Sequence, residues 1–128
     1  MNREEVARLI HCYVEGWRDG DRGKILSTLA PDCVVTEAHG PVYRGMVRIG
    51  QWIETWFAAG GRVDRWEITS LVVADDTAAF EWSFACTWLE KAYDFEGASI
   101  AKLRGGKIAS LREYCTTAPL YEWDGSWR

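Results

Sequence analysis

Between Thr77 and Thr117 the chain alternates apolar and polar side chains in three strand-length runs broken by two turn signals. Phe80, Trp82, Phe84, Cys86 and Trp88 fall at every second position of Thr77–Leu89, with Glu81, Ser83, Ala85 and Thr87 between them. Successive strand side chains point to opposite faces, so this spacing predicts a half-buried strand with an aromatic inner face. Tyr93–Arg104 and Lys107–Thr117 follow, joined by Gly105-Gly106, a hairpin signal. The simplest product is an antiparallel meander with one apolar face, which the first half of the chain must cover.

That first half is patterned for helices. Asn2 followed by Glu5 resembles a capping box, and Val6, Leu9, Ile10, Tyr13, Val14 and Trp17 then recur on one helical face. Gly20 ends this helix. Asp21 caps a second, which buries Ile25, Leu26 and Leu29 and runs to about Ala30, before Pro31. Cys33–His39 is predicted as the first strand, with Cys33, Val35, Glu37 and His39 on one face. Pro41–Gly45 reads as a turn or short edge strand. A third helix, about Met46–Ala59, gathers Ile49, Trp52, Ile53, Trp56 and Phe57 on one side and stops at Gly60-Gly61. Arg62–Ala74 is a long strand, turned by Asp75-Asp76. Helices early and strands late predict an α+β fold, with helices on one side of a curved antiparallel sheet, in a single domain over residues 1–128. The tail beyond Thr117 holds Leu120, Tyr121, Trp123 and Trp127 and is too apolar to hang free.

Composition sharpens this in three respects. Eight Trp in 128 residues favour a lined pocket or an oligomer over a bare core. A net charge of −4 without a basic patch argues against nucleic acid as a partner. No run approaches the ~18 apolar residues of a membrane span, and the N-terminus lacks a signal-peptide pattern. Cys12, Cys33, Cys86 and Cys115 are scattered, with no C-x-x-C pair, so free thiols in a reducing cytoplasm are expected.

Four short motifs carry a family resemblance. They are the helix end from Tyr13 to Asp21, Ala30-Pro31-Asp32-Cys33-Val34-Val35, Tyr43-Arg44-Gly45 before the third helix, and Gly106-Lys107-Ile108 before the last strand. In this order and spacing the chain resembles the nuclear transport factor 2-like fold and, within it, the SnoaL-like and ketosteroid isomerase-like group. The resemblance implies a cone-shaped half-barrel whose curved, antiparallel or mixed sheet and three N-terminal helices enclose a deep pocket. It places Trp82, Phe84, Cys86 and Trp88 in that pocket, with Ser99, Ala101 and Leu103 on the next strand and Leu111, Glu113 and Cys115 on the last. Alternation alone leaves the last strand open, because Ile108 and Tyr114 share the opposite parity; the resemblance selects the face of Glu113. Trp17, Val35, Trp52 and Trp56 complete the expected walls, suited to a flat, apolar small molecule. A homodimer is expected through the outer sheet face, which would bear Ser83, Ala85, Ile100, Arg112 and Tyr114.

The same resemblance puts Tyr13 where ketosteroid isomerases keep a phenol for the developing oxyanion, and Glu37 where they keep the general base. A carboxylate in an apolar pocket has its charged form desolvated and becomes a better base. Ala101 stands where those enzymes keep a second acid, which argues against steroid-type isomerisation. Glu113 is the compensating candidate: a carboxyl among aromatics is costly unless paired or protonated, so it reads either as a pocket acid or as half of an ion pair. His39 shares the face of Glu37 and is a candidate proton shuttle, or else a solvated strand end. Glu37, His39 and Glu113 lack a recognised ligand spacing, so neither metal nor cofactor is expected. Three functions compete. The first is a cofactor-independent enzyme for isomerisation, dehydration or cyclisation of a small apolar carbonyl compound. The others are a non-catalytic ligand-binding module and a structural dimer subunit. Epoxide hydrolysis in this fold uses a pocket Asp-Arg-Asp set, and Arg112 has the wrong parity for it.

Overall fold

The computed structural model describes every residue from Met1 to Arg128. Helix α1 (Arg3–Asp19) starts where the Asn2 side chain accepts a hydrogen bond from the Glu5 amide at 2.9 Å. Helix α2 (Arg22–Ser27) is capped by Asp21 in the same way. It ends earlier than its apolar spacing predicts, and strand β1 (Leu29–Thr36) begins at once. Pro31 disfavours helical backbone at Ala30. The Ile108 amide also donates to the Thr28 carbonyl at 2.9 Å, drawing the segment into the sheet. β1 stops before Glu37, because a tight turn intervenes. The Glu37 amide donates to the Pro41 carbonyl, and the Gly40 amide to the Glu37 carbonyl. His39 therefore lies on a turn and not on a strand face.

β2 (Val42–Arg44), α3 (Met46–Ala58), β3 (Arg62–Ala74), β4 (Thr77–Trp88), β5 (Lys91–Arg104) and β6 (Lys107–Cys115) follow. The six strands form one open sheet in the order β2-β1-β6-β5-β4-β3. All neighbours are antiparallel except β1 and β6, which run parallel with Val35 opposite Leu111 and Thr36 opposite Arg112. The fold is thus α+β with a curved, mixed sheet. One step beyond that register, Glu37 comes alongside Glu113 on the neighbouring strand.

Bulges decide which residues face inward. On β3, register shifts after Val63 and after Ile68 keep Val63, Trp66, Ile68, Leu71 and Val73 opposite the inner-face residues Cys86, Phe84, Trp82, Phe80 and Ala78 of β4. Each bulge adds one residue and bends the strand, which helps curve the sheet around the helices. On β6 the shift beside Leu103 lets both Ile108 and Leu111 turn inward, although strict alternation assigns them to opposite faces. The narrow end of the cone is solid: Val6, Ile10 and Val14 of α1 belong to one core with Val35, Phe80, Ala101, Leu103, Ile108 and Leu111. A fully buried side chain of this size contributes about 2 kcal/mol.

The C-terminal tail departs from its expectation. Leu120, Tyr121, Trp123 and Trp127 are exposed, with the Trp123 and Trp127 rings 5.3 Å apart and the Arg128 guanidinium over the Tyr121 ring. None of the four belongs to the hydrophobic core. No helix is long and apolar enough to cross a membrane.

Candidate active site

The wide end of the cone holds a cavity of about 730 Å³ that opens to solvent on one side. Tyr13 and Trp17 of α1, Trp52 and Trp56 of α3, and the inner faces of β3 to β6 wall it. The aromatics meet mostly edge to face. Trp66 lies 6.0 Å from Tyr13, 6.1 Å from Trp82 and 5.4 Å from Phe84, centroid to centroid, at 74°, 81° and 87°. Such pairs add about 1 kcal/mol each beyond their buried area and fix the wall rigidly.

Glu113 sits in this wall. Burial is the main cause that raises its carboxyl pKa, to about 7, and the nearby charge of Glu37 adds to it. One hydrogen bond opposes the shift: the Ser99 hydroxyl donates to Glu113 Oε2 at 3.1 Å. Ser99 is itself oriented by Trp82, whose indole N–H donates to Ser99 Oγ at 2.9 Å. With that lone pair taken by Trp82, the Ser99 proton is directed to Glu113. Glu113 is therefore linked through Ser99 to Trp82, not paired with an arginine. Gly97 makes room for this arrangement, because a Cβ there would lie 2.4 Å from the Trp82 ring and 2.2 Å from the Tyr114 carbonyl. Ser99→Ala is expected to move the Glu113 titration further above its wild-type midpoint. Leaving Trp82 Nε1 unpartnered should cost about 1–2 kcal/mol of stability. Carboxyl-resolved NMR and chemical denaturation read the two effects; a titration that stays put would remove Ser99 from the site.

Glu37 is held differently. Its side chain is 22% exposed, and the Tyr43 phenol donates to its Oε1 at 2.7 Å. Tyr43 is fixed in turn by stacking on Trp52, with centroids 4.2 Å apart and planes 8° from parallel. Burial first, and then the bond to Glu37, push the Tyr43 pKa up, so the phenol stays a donor. His39 Nδ1 lies 3.6 Å from Glu37 Oε2, but the side chain is 68% exposed at the mouth. Tyr13 is buried, and its ionisation is pushed well up by burial and then by the charge of Glu113. Its hydroxyl has no protein partner, and neither do the indole N–H groups of Trp17, Trp66 and Trp88; all four residues line the cavity.

The structure thus gathers Tyr13, Glu37, His39 and Glu113 around one cavity, together with Trp17, Trp52, Trp56, Trp82, Phe84, Cys86, Trp88 and Cys115. It does not bring Val35, Ala101, Leu103 or Leu111 to the wall; they point inward but lie in the solid narrow end. Ser99 lies behind Glu113 and reaches the cavity only through it. Alternation gives the face of a strand, not the depth along it, and β5 meets the cavity at Tyr93 and Phe95 instead. Tyr43, Trp66, Arg48 and Gln51 are wall residues the pattern did not single out. Glu37, His39 and Glu113 do not gather into a metal-holding cluster.

The sequence profile of the SnoaL-like domain matches residues 10–111, most of the chain. The chain belongs to the SnoaL-like family. This SnoaL-like protein has the nuclear transport factor 2-like fold. No curated protein matches its sequence. Solved structures superpose well at low identity. An LEH-like epoxide hydrolase of M. tuberculosis aligns with TM-score 0.79 at 15% identity, covering 88% of this chain and 84% of that one. A candidate polyketide cyclase of Xanthomonas campestris pv. campestris gives 0.73 at 18%, covering 89% and 92%. TerC, co-crystallised with polyporic acid, gives 0.74 at 16%, covering 88% and 92%. At these identities the likeness establishes the fold and not the reaction.

Proposed function

We propose that this SnoaL-like protein is a cofactor-independent acid–base enzyme acting on a small, flat, apolar carbonyl compound. The observation that carries this reading is one aromatic cavity holding two carboxyl groups in unlike settings. Glu37 is oriented by the Tyr43 phenol near the mouth, and Glu113 is half-buried in the aromatic wall, where desolvation raises its pKa to about 7. Two carboxyls whose environments differ in this way can divide the roles of base and acid.

In this scheme Glu37 removes a proton from the carbon beside the carbonyl. The developing enolate oxygen is met by the neutral Tyr13 phenol and by Glu113 in its protonated form. Glu113 can then return a proton near neutral pH. Trp66, Trp82 and Phe84 pack edge to face beneath the reacting atoms and keep bulk water away. Isomerisation, dehydration and cyclisation share this proton abstraction. The polyketide-cyclase neighbour and the neighbour crystallised with polyporic acid support a cavity for flat organic molecules. The epoxide-hydrolase neighbour lends less. No Asp lines the cavity here, and Arg112 lies exposed on the outer sheet face, where its guanidinium donates to the Tyr114 hydroxyl.

The test is exchange of α-protons on a panel of cyclic ketones in heavy water, followed by NMR. Exchange well above the buffer rate is expected. Wild-type protein exchanging no faster than Glu37→Gln across the panel would leave a binding module in the same cavity.

We place this activity in a reducing cytoplasm, consistent with four free cysteines, and in a homodimer. The outer sheet face bears Ile100 and Tyr114, 38% and 48% exposed, beside Ser83, Ala85 and Arg112. Light scattering at micromolar concentration should give twice the 14.6 kDa chain mass; a monomer mass counts against pairing.

A further inference from the structure

We infer that the ligand carries an anionic group at one edge of its flat body, and that Arg48 and Gln51 hold this group at the cavity mouth. The inference rests on reading the cavity as a small-molecule site; it does not depend on the chemistry at Glu37.

Arg48, Gln51 and Thr55 of α3 are spaced i, i+3, i+7, which places them along one side of the helix. All three line the cavity, next to the Trp52 and Trp56 rings. The wall also includes Trp88, Tyr93 and Phe95 of the sheet, which are aromatic throughout. The cavity is thus polar along one stretch of α3 and, Cys86 apart, aromatic along β4 and β5. Arg48 is the single Lys or Arg in its lining. It forms no ion pair, although six link other charged residues of the chain. Its only protein hydrogen bond runs from Nη1 to Gln51 Oε1 at 3.1 Å.

That bond has a consequence for recognition. It occupies the Gln51 carbonyl oxygen, so the Gln51 amide presents N–H groups. A guanidinium carries five N–H donors in a planar fork, and four remain uncommitted here. The fork matches a carboxylate or an ionised enol bidentately. Arg48 and Gln51 therefore both offer hydrogen, with one positive charge, next to a slot for rings. A planar aromatic acid satisfies both halves. A neutral polycycle satisfies only the rings and leaves Arg48 solvated.

The experiment uses quenching of the cavity tryptophans by anthraquinone-2-carboxylate and by its methyl ester, with wild type, Arg48→Met and Arg48→Lys. Methionine keeps most of the apolar stem, and Arg48 is exposed, so these variants should fold as wild type does. Wild type is expected to bind the acid roughly 10-fold tighter than the ester, the worth of one good charge-assisted contact. The ratio should fall to about 1 in Arg48→Met, through loss of acid affinity with ester affinity unchanged, and be intermediate in Arg48→Lys. Raising salt should shrink the wild-type preference. Equal affinities in wild type, a preference that survives Arg48→Met, or binding of neither compound would each overturn the inference. A protein that prefers the acid through Arg48 but exchanges no ketone protons would uphold it, while sinking the acid–base reading.

Discussion

Glu37→Gln should lower α-proton exchange on a responsive ketone by at least roughly 100-fold, with ligand affinity within about twofold of wild type. The amide has the carboxylate's shape, and its oxygen can still accept from the Tyr43 phenol, which now contacts Glu37 at 2.7 Å. What disappears is the basic lone pair. Glu113→Gln divides the remaining possibilities. If Glu113 acts as an acid, its protonated form is the active one, so wild-type rate should fall as pH rises through about 7. The Gln variant should then be slow and lack that limb. If Glu113 only shapes the cavity, Glu113→Gln should cost little and leave the profile unchanged. Rates of Glu37→Gln equal to wild type would show that the proton goes elsewhere.

Stability should depend on pH through the same carboxyl. Glu113 titrates near 4.5 in an unfolded chain and at about 7 in the folded one. Between those values the folded state binds more protons than the unfolded state, so stability falls as pH rises. Below the lower value there is no loss; above the upper one it is complete. At about 1.4 kcal/mol for each pH step between them, the full loss is at most roughly 3–4 kcal/mol, and less where cavity water screens the charge. Urea denaturation at pH 5 and pH 8 measures it. Glu113→Gln should remove this part of the difference and be more stable than wild type at pH 8. A variant less stable than wild type at pH 8 would mean that Glu113 has a compensating partner there.

How much of this could be read from the chain depended on where alternation is interrupted. β4 carries no bulge on its own strand, so Trp82, Phe84, Cys86 and Trp88 show their shared face directly. β3 has two register shifts, and counting by twos from Val63 sends Trp66 to the wrong side. One shift beside β6 accounts for the two opposed readings of Ile108 and Leu111. The parallel contact of β1 with β6 joins segments about 75 residues apart, and no local pattern announces it. That contact is what brings Glu37 beside Glu113. Tyr43 was visible only as part of a short motif before α3; its role follows from the stacking on Trp52 and the bond to Glu37. The carboxylates were legible through the family resemblance, which puts Glu37 at the general-base position and selects the inward face of Glu113; alternation alone left the face of Glu113 open. The roles proposed for them were not, because these depend on the hydrogen bonds and the desolvation that each carboxyl meets in the folded wall.

The most direct test of those roles is a pH titration of the glutamate carboxyl carbons by NMR, in wild type, Glu37→Gln and Glu113→Gln. One resonance should titrate near 7 in wild type, disappear in Glu113→Gln, and shift downward in Glu37→Gln as the neighbouring charge is removed. If every glutamate titrates in the ordinary range around 4.3, or if the outlying resonance is indifferent to Glu37, the two carboxyls do not form a coupled pair in one aromatic cavity.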